Sequence, residues 1–447
     1  MEHKFSDKRL TNFLRYVNKV FGFQKLVQDI TDERQRPRIK TESIFMSLFF
    51  CILLRWGSLN QLKGELKANA LKKFLPQGEK ANCDNSIRYS LAKFDLEKLN
   101  CQLVSITKRL KRNKVLEPIA GFQGLRVVAI DGTEFFRSSK IHCDHCLEFW
   151  VSTKEGKRLE YAHRGVCAQL ISASVHPILA FEPILPKDVR AEVKVEAEKG
   201  HEGEQTVAKR LIDKLDQLYP QNFYDVISVD ALHVNLPFIK EVRSCKKHLV
   251  VKVKNERTTI FKEIEALSKL TQPQEWKIDE KTTLKTWDID DLHLSLGPES
   301  GYALASIPLR GVKAIETTIK NGEIKTETIY LLTTLVGNQF FKVSTKTLVR
   351  MVHGRWRIEN NVFKDLKDNW FFEHNFFHHP IATQAIILIF LTVYNLFYTF
   401  FLRHLKTHRI YGLTWKQVIR ELNYSFYSRR YRFSFSSFSY SGGYRGS

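Results

Sequence analysis

Acidic side chains are scarce in this sequence. It has 48 Asp and Glu against 70 Lys and Arg, a formal charge of +22 over 447 residues and a pI near 9.6. A chain so short of acid points to a polyanionic partner, of which nucleic acid is the commonest. An anionic membrane surface, or a basic surface with no partner, are the other readings. Cysteine is sparse too: Cys51, Cys83, Cys101, Cys143, Cys146, Cys167 and Cys245 are odd in number and scattered, which argues against a disulfide framework. The opening MEHKFSDKRL lacks the apolar stretch of a secretory signal. Both observations lead us to expect a reducing, cytoplasmic setting. Long uncharged runs are nearly missing. Only Ile381 to Phe401 is long enough to cross a bilayer, and its Thr383, Gln384, Thr392, Asn395 and Thr399 favour a buried core helix instead.

What remains is ordinary globular material, 43% hydrophobic and 26% charged, with room for two to four domains or subdomains. Residues 1–120 read as a helical, basic domain suited to DNA contact. It holds the apolar helix 43–56 and a second helix, 86–100, capped by Asp84-Asn85-Ser86. From residue 121 to 255 the pattern is mixed α/β. The run Val127–Ile130 ends in Asp131-Gly132, as a strand buried on both faces would, with the acid at its carboxyl end. Two β segments follow, turning near Ser174–His176, then a helix, the short strand DVISV ending at Asp230, another helix and a strand HLVVKVK. If their strands are parallel neighbours, Asp131 and Asp230 share the edge where ligand chemistry gathers. Residues 256–345 alternate like a separate β-rich insertion with turns at Gly297-Pro298 and Asn321-Gly322. Residues 346–420 return to helix. Residues 421–447, rich in Ser, Tyr, Phe and Arg, read as a disordered tail.

One helix carries an acid where apolar residues should be. At 100° per residue Leu348, Val352, Trp356, Phe363, Leu366 and Trp370 form one stripe, and Glu359 falls in its middle with Arg355 a turn behind. Two readings stand: an i,i+4 ion pair worth about 0.3–0.5 kcal/mol, or a metal-binding glutamate facing a site built by other segments. Glu134, which lies past a turn beyond Asp131, Glu373, which lies beyond this helix, and Asp188 are rival acids. The cluster His142-Cys143-Asp144-His145-Cys146 has zinc-like CxxC spacing but no second, equally spaced pair, so it reads as a structural loop. His374, His378 and His379 read as loop or surface residues. Trp276 and Trp287 read as sheet residues, with base stacking the alternative.

Two strand-end aspartates, a distant helical glutamate, this strand order and the positive charge resemble the DDE transposases with an RNase H-like core. The resemblance is closest to the bacterial insertion-sequence-four family and its Tyr-x2-Arg-x3-Glu-x6-Lys signature. IDGTEFF (130–136), SVDAL (228–232) and Arg355-x3-Glu359 carry the likeness, over roughly Leu125 to Phe397. Val352 takes the tyrosine position, with His353 beside it. Leu366 takes the lysine position, with Lys367 one residue late and Lys364 two early. The resemblance implies a mixed sheet flanked by helices, interrupted by the insertion. It implies Asp131, Asp230 and Glu359 as catalytic ligands of two Mg²⁺ or Mn²⁺ ions. It also implies cut-and-paste excision at inverted repeats followed by strand transfer, carried out by a homodimer on double-stranded DNA. Arg355, Lys364, Lys367, Arg137, Lys252, Lys254 and Arg88 are the expected DNA contacts. A nuclease or resolvase that cuts without joining, an inactive DNA-binding descendant and a membrane-associated protein are the alternatives.

Overall fold

The computed structural model describes residues 8–68, 71–75, 83–154, 156–190, 200–292, 307–320, 322–337, 341–406 and 412–428. Among the described residues, six α-helices come first: α1 (Arg9–Phe21), α2 (Phe23–Gln28), α3 (Thr41–Leu53), α4 (Leu59–Lys67), α5 (Asp84–Leu91) and α6 (Leu96–Arg112). Their inner faces follow the helical period, as Leu10, Phe13, Leu14, Val17 and Phe21 do in α1. α3 is buried on every side from Ser43 onward. The single helix expected over 86–100 is divided in two. Asp95 accepts the Glu97 and Lys98 amides and starts α6 as a new helix.

The sheet follows. Strands β1 (Val127–Ser138), β2 (Leu147–Thr153), β3 (Gly156–Leu170) and β4 (Ile178–Ile184) precede α7 (Lys187–Arg190) and α8 (Glu204–Leu218). Then come β5 (Val226–Val229), α9 (Leu236–Ser244) and β6 (His248–Val253). β3 pairs antiparallel with both β1 and β4, while β5 lies parallel to β1 and β6 parallel to β5. The order β4-β3-β1-β5-β6, three antiparallel strands then two parallel ones entered through helices, is the RNase H-like core. β2, an edge strand on β3, is an addition that its mostly exposed side chains did not announce.

The β-rich segment is not a separate sheet. After α10 (Thr259–Ser268), strands β7 (Gln274–Lys277), β8 (Thr282–Leu292), β9 (Leu309–Lys320) and β10 (Glu323–Thr333) continue the core, because β10 pairs with β6 from Tyr330 to Thr333. That pairing satisfies backbone groups that β6 would otherwise expose as a sheet edge. The β9–β10 hairpin turns at the expected place, with Gly322 at φ 83°; Asn321 and Gly297-Pro298 lie outside the described residues. Trp276 and Trp287 are partly buried sheet residues, and the Trp276 indole donates to Thr286 Oγ1 at 3.1 Å.

The chain ends in helices α11 (Thr345–Arg357), α12 (Lys364–Trp370), α13 (Pro380–Thr399) and α14 (Trp415–Tyr427). Residues 421–427, assigned to the tail from composition, are part of α14, and the rest of that segment from 429 lies outside the described residues. α14 packs on α1, where Arg9 and buried Glu421 form an ion pair. The helical layer is therefore built from both ends of the chain. At its centre α13 packs against α3, α5, α6 and β4. Among the described residues one helix, Pro380–His404, is long and apolar enough to cross a membrane, and it is 83% buried in its most apolar stretch. It is a core helix. Its polar residue Asn395 explains itself: Oδ1 accepts the Ile178 N–H at 2.9 Å and Nδ2 donates to the Ile178 carbonyl at 2.8 Å. Asn395→Leu, though more apolar, should destabilise the protein by about 2–4 kcal/mol because two buried backbone groups lose their partner. Urea unfolding measures the change, and an unaltered midpoint would show those bonds to be dispensable.

Candidate active site

The parallel register sets the first two acids. Ala129 pairs with Ser228, and Asp131 and Asp230 each stand two residues further on, on adjacent strands and with the same parity. β1 does not stop at Asp131 as expected. It runs to Ser138 because β3 goes on pairing with it, Asp131 opposite Cys167, and what ends there is the parallel partner. Gly132 has a steric role in this place: a Cβ would lie 2.6 Å from the Glu204 carboxylate. Glu204 is the first residue of α8, and it becomes a fourth acid at the site. Sequence reasoning missed it, since its neighbours Gly132, Asp131 and Asp230 are brought to it only by the fold.

Glu359 departs from its expected position. α11 does not continue as a regular α-helix: Ile358–Phe363 form a π turn, in which the Lys364 N–H reaches back five residues to the Glu359 carbonyl. The wider turn changes the helix phase. Ile358, Val362 and Phe363 take the buried positions, and Glu359 keeps 45% of its side chain exposed. Trp356, counted in the apolar stripe, is only half-buried. A π turn absorbs one extra residue, so the residues after it are shifted by one position relative to an unbroken α-helix, and Lys367 pairs with Glu373. Leu366 is left fully buried in the core.

Arg355 joins these elements. It is 4% exposed, and its Nη1 lies 2.7 Å from Glu359 Oε1 and 3.1 Å from Asp131 Oδ2. Asp131 Oδ2 receives no well-directed hydrogen bond, so Arg355 acts on it mainly as a charge. Burial pushes the Asp131 carboxyl up to about 8; the Arg355 cation opposes this, and the charges of Glu359 and Glu204 add to it. Glu204 is also raised, by burial first, and Asp230 adds to the effect. Asp230 goes the other way. Burial alone would raise it, but the His233 hydrogen bond at 3.0 Å, the Leu232 N–H at 3.0 Å and the Arg355 charge hold it below the usual range. His233, 1% exposed, is a second residue that the sequence did not single out. Four carboxylates with no soft donor among them, one of them with a buried oxygen lacking a hydrogen bond, suit a hard divalent cation.

The expected DNA contacts divide into two groups. Lys254 and Lys364 are exposed. Arg137 is taken up by Glu134 and Glu160, whose hydrogen bonds raise its pKa, and Lys252 pairs with Glu327 at 3.0 Å. Lys367 pairs with Glu373 at 2.9 Å and Arg88 with Asp84 at 3.2 Å. Among the rival acids, Glu134 is held by Arg137 and Arg164 and Glu373 by Lys367, and Asp188 is exposed on α7. Val352, in the tyrosine position, is buried. His353 stands 3.4 Å from Glu316 and stacks on Trp356.

Residues 191–396 match the family model described as "Transposase DDE domain". The matched stretch includes Glu204, Asp230 and Glu359 and starts after Asp131. Among solved structures, the chain is similar to the cryo-EM structure of the piggyBac transposase synaptic complex with hairpin DNA. The identity is 11% and the TM-score 0.39, over 94% of this chain and 79% of that one. No curated protein matches the chain. The family match covers 206 of the 447 residues, a little under half of the chain.

The raised carboxyl has a measurable consequence. Folded Asp131 binds its proton more tightly than the unfolded chain does, so its ionisation, as pH climbs from the ordinary 3.8 through about 8, lowers the stability of the metal-free fold. Binding a divalent cation needs the ionised form and offsets that loss. Mg²⁺ should raise the thermal midpoint more at about pH 8 than at about pH 6, with no such increment in Asp131→Asn. Equal shifts at both pH values, or a shift retained by the variant, would put the Mg²⁺ effect elsewhere.

Proposed function

We propose that this protein is a Mg²⁺-dependent DDE transposase of the insertion-sequence-four type, which cleaves DNA at inverted-repeat ends and joins the freed 3′-hydroxyl to a target. The observation that carries this reading is the set of acids around Arg355. Asp131 and Asp230 come from adjacent parallel strands and Glu359 from a π turn, within a chain whose residues 191–396 match the transposase DDE domain. Asp131, Asp230 and Glu359 would hold two Mg²⁺ or Mn²⁺ ions, with Glu204 behind Asp131 and Asp230. When bound, such ions activate the attacking water or hydroxyl and stabilise charge on the leaving oxygen.

The chain's own residues do the rest. Arg355 offsets the mutual repulsion of the acids and keeps Glu359 facing Asp131. His233 fixes Asp230 in its ionised, ligand-ready form through the 3.0 Å bond. The +22 charge supplies an attraction to duplex DNA that falls with salt. Lys254 and Lys364, exposed, are the readiest phosphate contacts. Arg355, Lys367, Arg137, Lys252 and Arg88 would reach phosphate by exchanging an acidic partner for it. Two copies of the chain would synapse the two ends, in the cytoplasm at the nucleoid.

Asp131→Ala, Asp230→Ala and Glu359→Ala should each reduce end cleavage to background while leaving end binding within a few-fold of the parent. Cleavage retained by any one variant removes that residue from the triad. A labelled 3′-hydroxyl end should become joined to a target duplex; cutting without joining would make the protein a nuclease. Lys254→Ala and Lys364→Ala should each weaken end binding and reduce the salt slope by about 1, measured by titration at several salt concentrations.

A further inference from the structure

Outside the acidic site, four metal-ligating side chains from three distant segments converge: Cys143 and Cys146 before β2, His163 on β3, and His378 between α12 and α13. The CxxC half was visible in the sequence, and its missing second half is two histidines that only the fold brings near. We infer that these four residues form a structural Cys₂His₂ zinc site that fastens the segment following the Glu359 helix to the sheet that carries Asp131.

The geometry is that of a tetrahedral zinc shell. Zn–S bonds of about 2.3 Å and Zn–N bonds of about 2.0–2.1 Å at tetrahedral angles put sulfurs about 3.8 Å apart and sulfur and nitrogen about 3.5 Å apart. Here the two Sγ atoms are 4.0 Å apart, His163 Nε2 is 3.4 Å from each, and His378 Nε2 is 3.2 Å from Cys146 Sγ. All four ligand atoms lie within 4.8 Å of one another. The CxxC turn is shaped for this. The Cys146 N–H donates to the Cys143 carbonyl at 2.9 Å, and the Cys143 N–H points at Cys146 Sγ at 3.4 Å, a contact that stabilises a thiolate.

The surroundings argue for a structural rather than a catalytic ion. Cys146 and His163 are buried, and four protein ligands leave no open position. Phe135 and Phe136 of β1 pack on the His163 ring, and Phe136 lies 4.5 Å from the His378 ring. The cluster is thus in contact with β1 only four and five residues from Asp131. The neighbouring histidines are not ligands: His142 stacks on Tyr161, and His145 is outside the converging set. Thiolate and imidazole donors select zinc over Mg²⁺, so the site is chemically distinct from the carboxylate cluster. Cys146 and His378 are 232 residues apart, and one ion would close that long loop.

Elemental analysis of the full chain, purified without chelator or metal-affinity steps, should find one zinc per chain that survives dialysis against excess Mg²⁺. Cys146→Ser and His378→Ala should lose it, His378→Cys should keep it, and Asp131→Ala should keep it too, which separates this site from the acidic one. Replacement by Co²⁺ should give the visible bands of tetrahedral coordination and a thiolate charge-transfer band, reading the ligand set in unaltered protein even where a variant fails to fold. Folded protein without zinc, zinc retained by both Cys146→Ser and His378→Ala, or a Cys143–Cys146 disulfide in the isolated protein would each overturn the assignment.

Discussion

Four carboxylates near enough to shift one another's ionisation repel one another, and a chain that places them there must supply positive charge from within. Arg355 does this. Its guanidinium is buried between Asp131 and Glu359, and its field extends to Asp230 and Glu204. One side chain thereby couples the central strand β1, the neighbouring strand end at Asp230 and the π turn that carries Glu359. Removing it would leave Asp131 buried with like charges and no counter-ion, the arrangement in which a lost ion-pair partner is most damaging. The i,i+4 ion pair and the metal-site glutamate, opposed as readings of the sequence, are compatible. The same guanidinium that pairs with Glu359 also reaches Asp131.

The scaffold around Arg355 is built to hold these groups still. β1 has hydrogen-bonded neighbours on both sides, β3 along most of its length and β5 over the parallel stretch. The sheet continues past β6 into β10 and the strands beyond, so the core is not left with an open edge there. Behind it, α13 is surrounded by helices from the amino-terminal half and by β4, and Asn395 ties it to the backbone of Ile178. At Glu359 the helix of this site departs from regular α-helical geometry, as the chain does again in the π turn Phe400–His404. The turn at Glu359 moves the acid out of the apolar stripe while Ile358, Val362 and Phe363 keep the core filled.

The two clusters of ligands divide by donor chemistry as well as by place. Oxygen donors with an internal cation gather at the strand ends, a set suited to hard ions that exchange and work on phosphate. Sulfur and imidazole donors gather against Phe135 and Phe136, a closed set suited to an ion that stays. Both clusters touch β1, so a staple at one end of that strand bears on the position of the acid near its middle.

Much of this was legible in the sequence, for reasons tied to local chemistry. Continuous apolar runs marked β1 and β5, and the acids that end those runs marked Asp131 and Asp230. Alternation marked the hairpin strands, and the polar residues within 381–401 marked a core helix rather than a membrane span. Other features were not legible because they depend on which distant segments meet. β2 is mostly exposed and carries no apolar signal. The β-rich segment looked separate because nothing local shows that β10 completes β6. Glu204 is one glutamate among many until Gly132 is placed beneath it. The phase of Glu359 turned on a π hydrogen bond that helical periodicity does not encode, and the half-shell at Cys143 and Cys146 lacked its histidines until β3 and the α12–α13 loop were folded against it. The sequence by itself determined the charge, the three candidate acids and those elements with a strong apolar pattern, because patterning and composition act over a few residues. Only the tertiary structure decided what surrounds each acid and what completes the cysteine pair, because burial, pairing and ion contacts arise between residues far apart in the chain.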